Sequence, residues 1–368
     1  MNTHQKETDR PATDRDFGAD VVRIAALILL LWLHFYLRNG FYSAEARGFA
    51  GFAAVASRTV FMCCVPLFMI LTGYLKCGRT WTASGYFSLV PILASWGIIS
   101  LIHLPYRIFW RKESAGVIEW ILRFFRFELA NYSWYVGMYI GLFLLSPLLN
   151  LIWCSCRTRR GHFTAVLTFT VLTFLPASVN NFPFEELIPG YFQSVYYITY
   201  YLIGCYIQTY RPQPKRRFLL LFVLAVAALL AWANISTRTA AADFYSGFRV
   251  SYNGLATGSM SAAIFLLLYR CRTESGRLRR LAGHVSGVVL EIYLLSYIAD
   301  TNIYPLFYKK YPMSLYLPIG ILMTSAVFLT TYPAAFLINR LVRKLCRRGI
   351  AVKHGSPPPS PSHKLPGE

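Results

Sequence analysis

Apolar runs of about 20 residues recur along almost the whole chain, and nothing else in the sequence restricts the fold as much. Inside a bilayer no water is available to satisfy backbone N–H and C=O groups. Each run must therefore be a helix, or a strand of a closed barrel. The runs lack the strict alternation of barrel strands. An all-α integral membrane protein is expected, a bundle of about ten transmembrane helices. The spans fall at 20–41, 59–75, 86–104, 133–153, 163–179, 191–210, 218–235, 253–269, 284–303 and 314–338. With 55% apolar and only 14% charged residues, the 368-residue chain is too hydrophobic for a soluble domain.

The net charge of +21 does not point to nucleic acid, because the basic residues sit in short connections beside apolar spans. Connections on the N-terminal side carry Lys76 and Arg79, then Arg157, Arg159 and Arg160, then Arg211, Lys215, Arg216 and Arg217, then Arg270, Arg272, Arg277, Arg279 and Arg280. The positive-inside rule then places both termini in the cytoplasm of a multi-pass protein of the cell (inner or plasma) membrane. Segment 180–190 on the other side has no Lys or Arg. Segment 105–132 is an exception, with Arg107, Arg111, Lys112, Arg123 and Arg126; its Ile121, Leu122, Phe124 and Phe125 fit a short amphipathic helix at the outer interface.

Three regions follow: a polar N-terminal segment (1–17), a transmembrane domain (18–345), and a basic, then Pro/Ser-rich disordered tail (346–368) beside membrane lipids. No signal peptide, internal repeat or appended soluble domain is expected. The eight cysteines are scattered without zinc-type spacing, so no metal is expected.

Ionisable residues within spans are costly and mark function by default. In the first span, Asp20, Arg23 and His34 fall on nearly one face. Arg23 and His34 are eleven residues apart, about 20° from the same direction and roughly 16 Å along the axis. Each has a bland reading: Arg23 snorkels to headgroups, Asp20 caps the helix or answers its dipole, and His34 makes an interhelical hydrogen bond. Of the seven histidines, only His34 falls deep in a span, while His103 and His284 lie at span ends. Glu291 is a buried carboxyl that either pairs with an arginine or orients a histidine. Asp300, nine residues on, lies on the opposite face. Trp134, Tyr135 and Tyr139 are either an interfacial belt or a platform for a sugar ring.

Arg23 and His34 separated by ten residues on the first span of such a bundle resemble the acyltransferase-3 family of membrane acyltransferases. Three further segments support the resemblance in order. "VPLFMILTGYL" (Val65–Leu75) is similar to a span-two motif, with Thr72 in place of the usual Ser. "NYSWYVGMYIGLFLLSPLLN" (Asn131–Asn150) is similar to a Trp-Tyr span. "LEIYLLS" (Leu290–Ser296) is similar to a late motif, with Ser296 where many members carry His. A basic pair common at the start of span three is missing from "YFSLVPI" (Tyr86–Ile92), and Lys76 and Arg79 stand in for it.

The resemblance implies transfer of an acyl group, usually acetyl, from cytoplasmic acyl-CoA to a hydroxyl of a cell-surface or exported glycan or lipid-linked saccharide. It implies catalysis by His34 oriented by Glu291, with acyl-CoA held by Arg23, Asp20, Lys76 and Arg79. Partners would be the acceptor and glycan-assembly proteins. The rival reading is a proton-coupled transporter or flippase that uses His34 and Glu291 as a relay.

Overall fold

A computed structural model of the chain describes residues 16–353, apart from 45, 47, 81, 181–186, 237–249 and 308–311. Most of the polar N-terminal segment, part of the 180–190 connection and the Pro/Ser-rich tail lie outside the described residues. Within them the structure is helical and contains no strand. Helix α1 is Phe17–Arg38, α2 Gly48–Phe61 and α3 Cys64–Lys76. Then come α4 Val90–Pro105, α5 Val117–Phe125, α6 Trp134–Ser155, α7 Arg159–Val179 and α8 Tyr196–Tyr210. The remaining helices are α9 Arg216–Ser236, α10 Leu255–Leu268, α11 Gly276–Ser286, α12 Val289–Ile303 and α13 Tyr316–Lys353.

Seven helices among the described residues are long and apolar enough to cross a membrane, or eight if the bent pair α11–α12 counts as one span. By length and composition the expected ten are not reached. The difference has physical causes. Segment 191–210 yields only α8, fifteen residues rich in tyrosine, which buries Tyr200, Tyr201, Gly204 and Cys205 against protein rather than lipid. Segment 253–269 yields α10, fourteen residues long. The second span is longer than expected: α2 and α3 form one 29-residue unit, Gly48–Lys76. Its break at Met62–Cys63 follows from Pro66, which has no N–H for the Met62 carbonyl.

Side-chain contacts define the two ends of the bundle. Asp16 caps α1 by accepting from the Gly18 and Ala19 N–H groups, and it also accepts from the Tyr74 hydroxyl at 3.3 Å. Asn150 donates to the carbonyls of Lys76 (2.8 Å) and Arg79 (2.9 Å). These contacts gather the start of α1, the end of α3 and the end of α6 at one end, here the N-terminal end. At the far end, the Tyr106 and Thr301 hydroxyls share a 2.6 Å bond and Tyr304 donates to the Leu31 carbonyl.

The tightest crossing joins α3 and α8. A Cβ on Gly73 would meet the Tyr201 backbone, and one on Gly204 would meet the backbone of Ile70 and Tyr74. Small residues permit such backbone contact between membrane helices. Gly204→Val is expected to force the pair apart and cost about 1–3 kcal/mol. A thermal denaturation midpoint measured in detergent should fall, and an unchanged midpoint would refute the contact.

Two arginines of segment 105–132 are engaged locally. Arg107 is buried, donates to Glu113 Oε2 at 2.7 and 2.9 Å, and reaches the carbonyls of Glu128 and Leu129. Arg123 pairs with Glu119 and Glu113. Paired charges of this kind carry less topological weight than free ones, whereas among the described residues Arg111, Lys112 and Arg126 of the same segment show no such ion pair. The intervening α5 exposes Val117, Ile118, Ile121 and Phe125, in keeping with an amphipathic helix.

Candidate active site

α1 and the α11–α12 pair run alongside each other from the N-terminal end. Asp20 accepts a 2.7 Å bond from the Ser286 hydroxyl, which sets their register. Fourteen residues beyond each lie His34 and Asp300, and these two meet: His34 Nδ1 is 3.2 Å from Asp300 Oδ2. The approach lacks the alignment of a completed hydrogen bond, as unliganded sites often do. The Tyr132 hydroxyl donates to the same Oδ2 at 2.9 Å, and its ring stacks on the imidazole with centroids 3.9 Å apart. Burial, then the neighbouring Asp300, push the Tyr132 phenol well above its ordinary pKa, so it stays a donor. Arg38, one turn beyond His34, lies against the Tyr297 ring and close enough to Tyr132 and Asp300 to interact with both.

Several buried polar atoms in this region have no hydrogen-bond partner: Asp300 Oδ1, Arg38 Nε, Ser133 Oγ and His103 Nε2. His103 corrects a sequence expectation. Its helix continues to Trp110 as one apolar unit, so it sits inside the span, fully buried, with its ring 5.9 Å from Tyr297.

A cavity of about 250 Å³ leads toward this cluster from the N-terminal end. Arg23, Lys76 and Ser286 line one part of it, and Leu30, Tyr135 and Tyr293 another. Leu30 is one turn short of His34. Tyr293 separates the cavity from the imidazole, its ring centroid 6.3 Å from that of His34. Tyr293 is held by its own hydroxyl, which donates to the Tyr132 carbonyl. Lys76 also borders a second, polar cavity of about 460 Å³ that contains Arg79, Thr80 and Ser88. Tyr135 and Tyr139 line the first cavity, so they form no lipid-facing belt. Trp134 is the exposed member of that trio.

The structure thus brings Arg23 and Lys76 to one cavity, with Arg79 next door. Asp20 does not cap α1: its Oδ1 pairs with Arg23 at 2.9 Å, while the cap is Asp16. Glu291 does not face His34. It accepts from Ser95 Oγ (2.7 Å) and Asn339 Nδ2 (2.8 Å). Asn339 also donates to the Gly287 carbonyl at the 58° bend between α11 and α12. Glu291 and Asn339 therefore staple a broken helix, whose freed backbone borders the first cavity. Ser296, at the position of the late family histidine, turns its hydroxyl back to the Tyr293 carbonyl.

Three members of the far-end cluster, Asp300, Tyr132 and Arg38, carry no role in the sequence reading. For Asp300 no sequence signal was available, since its register against His34 depends on the Asp20–Ser286 bond and on the bend before α12. Arg58 was also missed. It sits mid-span, 3% exposed, and donates to the Tyr42 hydroxyl. Starting the second span at residue 59 left it just outside. No group of three His, Cys, Asp or Glu side chains is placed to hold a metal ion among the described residues.

The acyltransferase-3 family model, described as an acyltransferase domain, matches residues 16–340. No curated protein and no solved structure matches the chain.

Proposed function

The chain belongs to the acyltransferase-3 family, and from that premise we propose that it transfers an acyl group, acetyl by the resemblance, from acyl-CoA to a hydroxyl of an exported or cell-surface glycan or lipid-linked sugar. One observation carries this reading. A histidine set against a carboxylate lies just beyond the inner reach of a cavity whose other part presents Arg23 and Lys76.

The N-terminal end is the cytoplasmic one in this reading. Phosphates of acyl-CoA bind at Arg23, Lys76 and Arg79, where guanidinium and ammonium groups answer negative charge. Asp20 and Ser286 fix the Arg23 head. The pantetheine arm extends along α1 over the roughly 16 Å that separates Arg23 from His34. Its apolar path passes Leu30 and Tyr293, so Tyr293 must give way to admit the thioester.

At the reacting end, Asp300 holds Nδ1–H of the neutral imidazole, which leaves the Nε2 lone pair for the acceptor hydroxyl. His34 takes that proton as the oxygen attacks the thioester carbonyl. The C–S bond breaks, and the proton passes to the departing CoA thiolate. Asp300, supported by Tyr132 and Arg38, stabilises the transient imidazolium. The unpartnered buried atoms around the pair favour a polar acceptor there, since such atoms are costly without a partner.

Arg23→Ala tests the donor end. The KM for acyl-CoA should rise by about tenfold, the worth of one charge-assisted bond, with kcat little changed. Initial rates across an acyl-CoA titration in membranes measure this, and an unchanged KM would remove Arg23 from the donor site.

A further inference from the structure

A second basic cavity, of about 670 Å³, lies at the N-terminal end and shares no residue with the two already described. Among the described residues, Arg211, Arg270, Arg272 and Arg279 line it together with one carboxylate, Asp16. That carboxylate is committed to capping α1 and to Tyr74. The arginines come from two connections, before α9 and before α11, and from the first turn of α11 itself. Arg211 sits in the left-handed backbone region at φ 46°, with its guanidinium over the Tyr74 ring at 5.5 Å.

Next to it runs an apolar groove of about 750 Å³ between α1, α11 and α13. Val21, Ile28, Leu281, Val285 and Phe328 are among its walls, and Phe17 lines both the groove and the arginine cavity. The groove follows α1 from Phe17 to Trp32, about 22 Å at 1.5 Å per residue. That exceeds the ~15 Å of hydrocarbon in one leaflet. Arginines gathered at the head of an apolar groove complement an amphiphile whose charge is negative and whose tail is long.

We infer that this composite site binds a lipid with a phosphorylated, anionic headgroup: phosphate against the guanidinium groups of Arg211, Arg270 and Arg272, acyl chain along α1. A bilayer lipid enters such a groove laterally, and the positive charge at its head attracts the phosphate. The inference is independent of the acyl-transfer reading.

The test uses the full-length protein in micelles containing equal phosphatidylglycerol and phosphatidylcholine, with retained lipid counted by native mass spectrometry. The unmodified protein should keep phosphatidylglycerol over phosphatidylcholine. Arg270→Gln combined with Arg272→Gln should lower that retention on the order of tenfold or more. The pair Arg270→Lys with Arg272→Lys, which keeps the charge, should retain it. Ser325→Trp, at an exposed position in the groove, should expel the lipid while the arginines remain. Equal retention in the glutamine pair would overturn the proposal. So would an equal loss in the lysine pair, which would signal lost packing rather than lost charge. Displacement of phosphatidylglycerol by coenzyme A would assign the arginines to the donor's phosphates. Phosphatidylglycerol retained by the Ser325→Trp variant as well as by the unmodified protein would place no acyl chain in the groove and indicate a free-anion site. Either of these last results also overturns it.

Discussion

His34→Ala is expected to abolish acylation while the protein still inserts and accumulates. General acid–base catalysis by a positioned side chain contributes about 10²–10⁴-fold, and His34 is the imidazole set against a buried carboxylate at the cavity's inner reach. The side chain is nearly buried and stacks on Tyr132, so removal also opens a gap. Protein abundance in the membrane must therefore be measured alongside activity. Mass spectrometry of the cell-surface glycan gives the readout. Normal acylation at normal abundance would exclude a catalytic His34.

Asp300→Asn is expected to cost nearly as much, about 10²-fold or more. The amide keeps the shape of the carboxylate and can still accept from Tyr132. It cannot stabilise an imidazolium, and its NH₂ group invites the wrong histidine tautomer. Glu291→Gln makes the contrast. Its oxygen can still accept from Ser95 and Asn339, so its effect should stay within about tenfold. Rates compared at matched protein levels decide between the two carboxylates. A larger loss for Glu291→Gln than for Asp300→Asn would return the orienting role to Glu291.

Much of this architecture was legible because a bilayer simplifies the reading. Long apolar runs have few solutions, and each expected span contains a helix. The polar end of the first cavity was legible too: Arg23, with Asp20 beside it, and Lys76 follow from helical spacing and from the position of the connections. What periodicity could not supply was the length of helices covered by protein rather than lipid. A tyrosine-rich segment such as α8 needs no lipid-spanning length when Gly73 and Gly204 let it pack backbone to backbone against α3.

The choice between Glu291 and Asp300 was hidden for a different reason. The two lie on opposite faces of α12, so only one can meet α1, and one helix alone does not say which. The answer depends on register between α1 and α11, which the Asp20–Ser286 bond sets, and on a bend at Gly287 that no proline announces. Tyr132 lies in a connection, where hydropathy carries no signal. Arg107 and Arg123 looked like topology signals until their glutamate partners were seen.

The central claim is that this bundle transfers an acyl group rather than moving a solute. Membrane vesicles bearing the protein, supplied with radiolabelled acetyl-CoA and their own glycans, test it most directly. Label should enter the glycan fraction in an acetyl-CoA-dependent manner, and vesicles bearing the His34→Ala protein at equal abundance should give none. Absence of acetyl-CoA-dependent label, together with proton-coupled flux of a glycan or lipid precursor through the same vesicles, would contradict the account and establish a transporter.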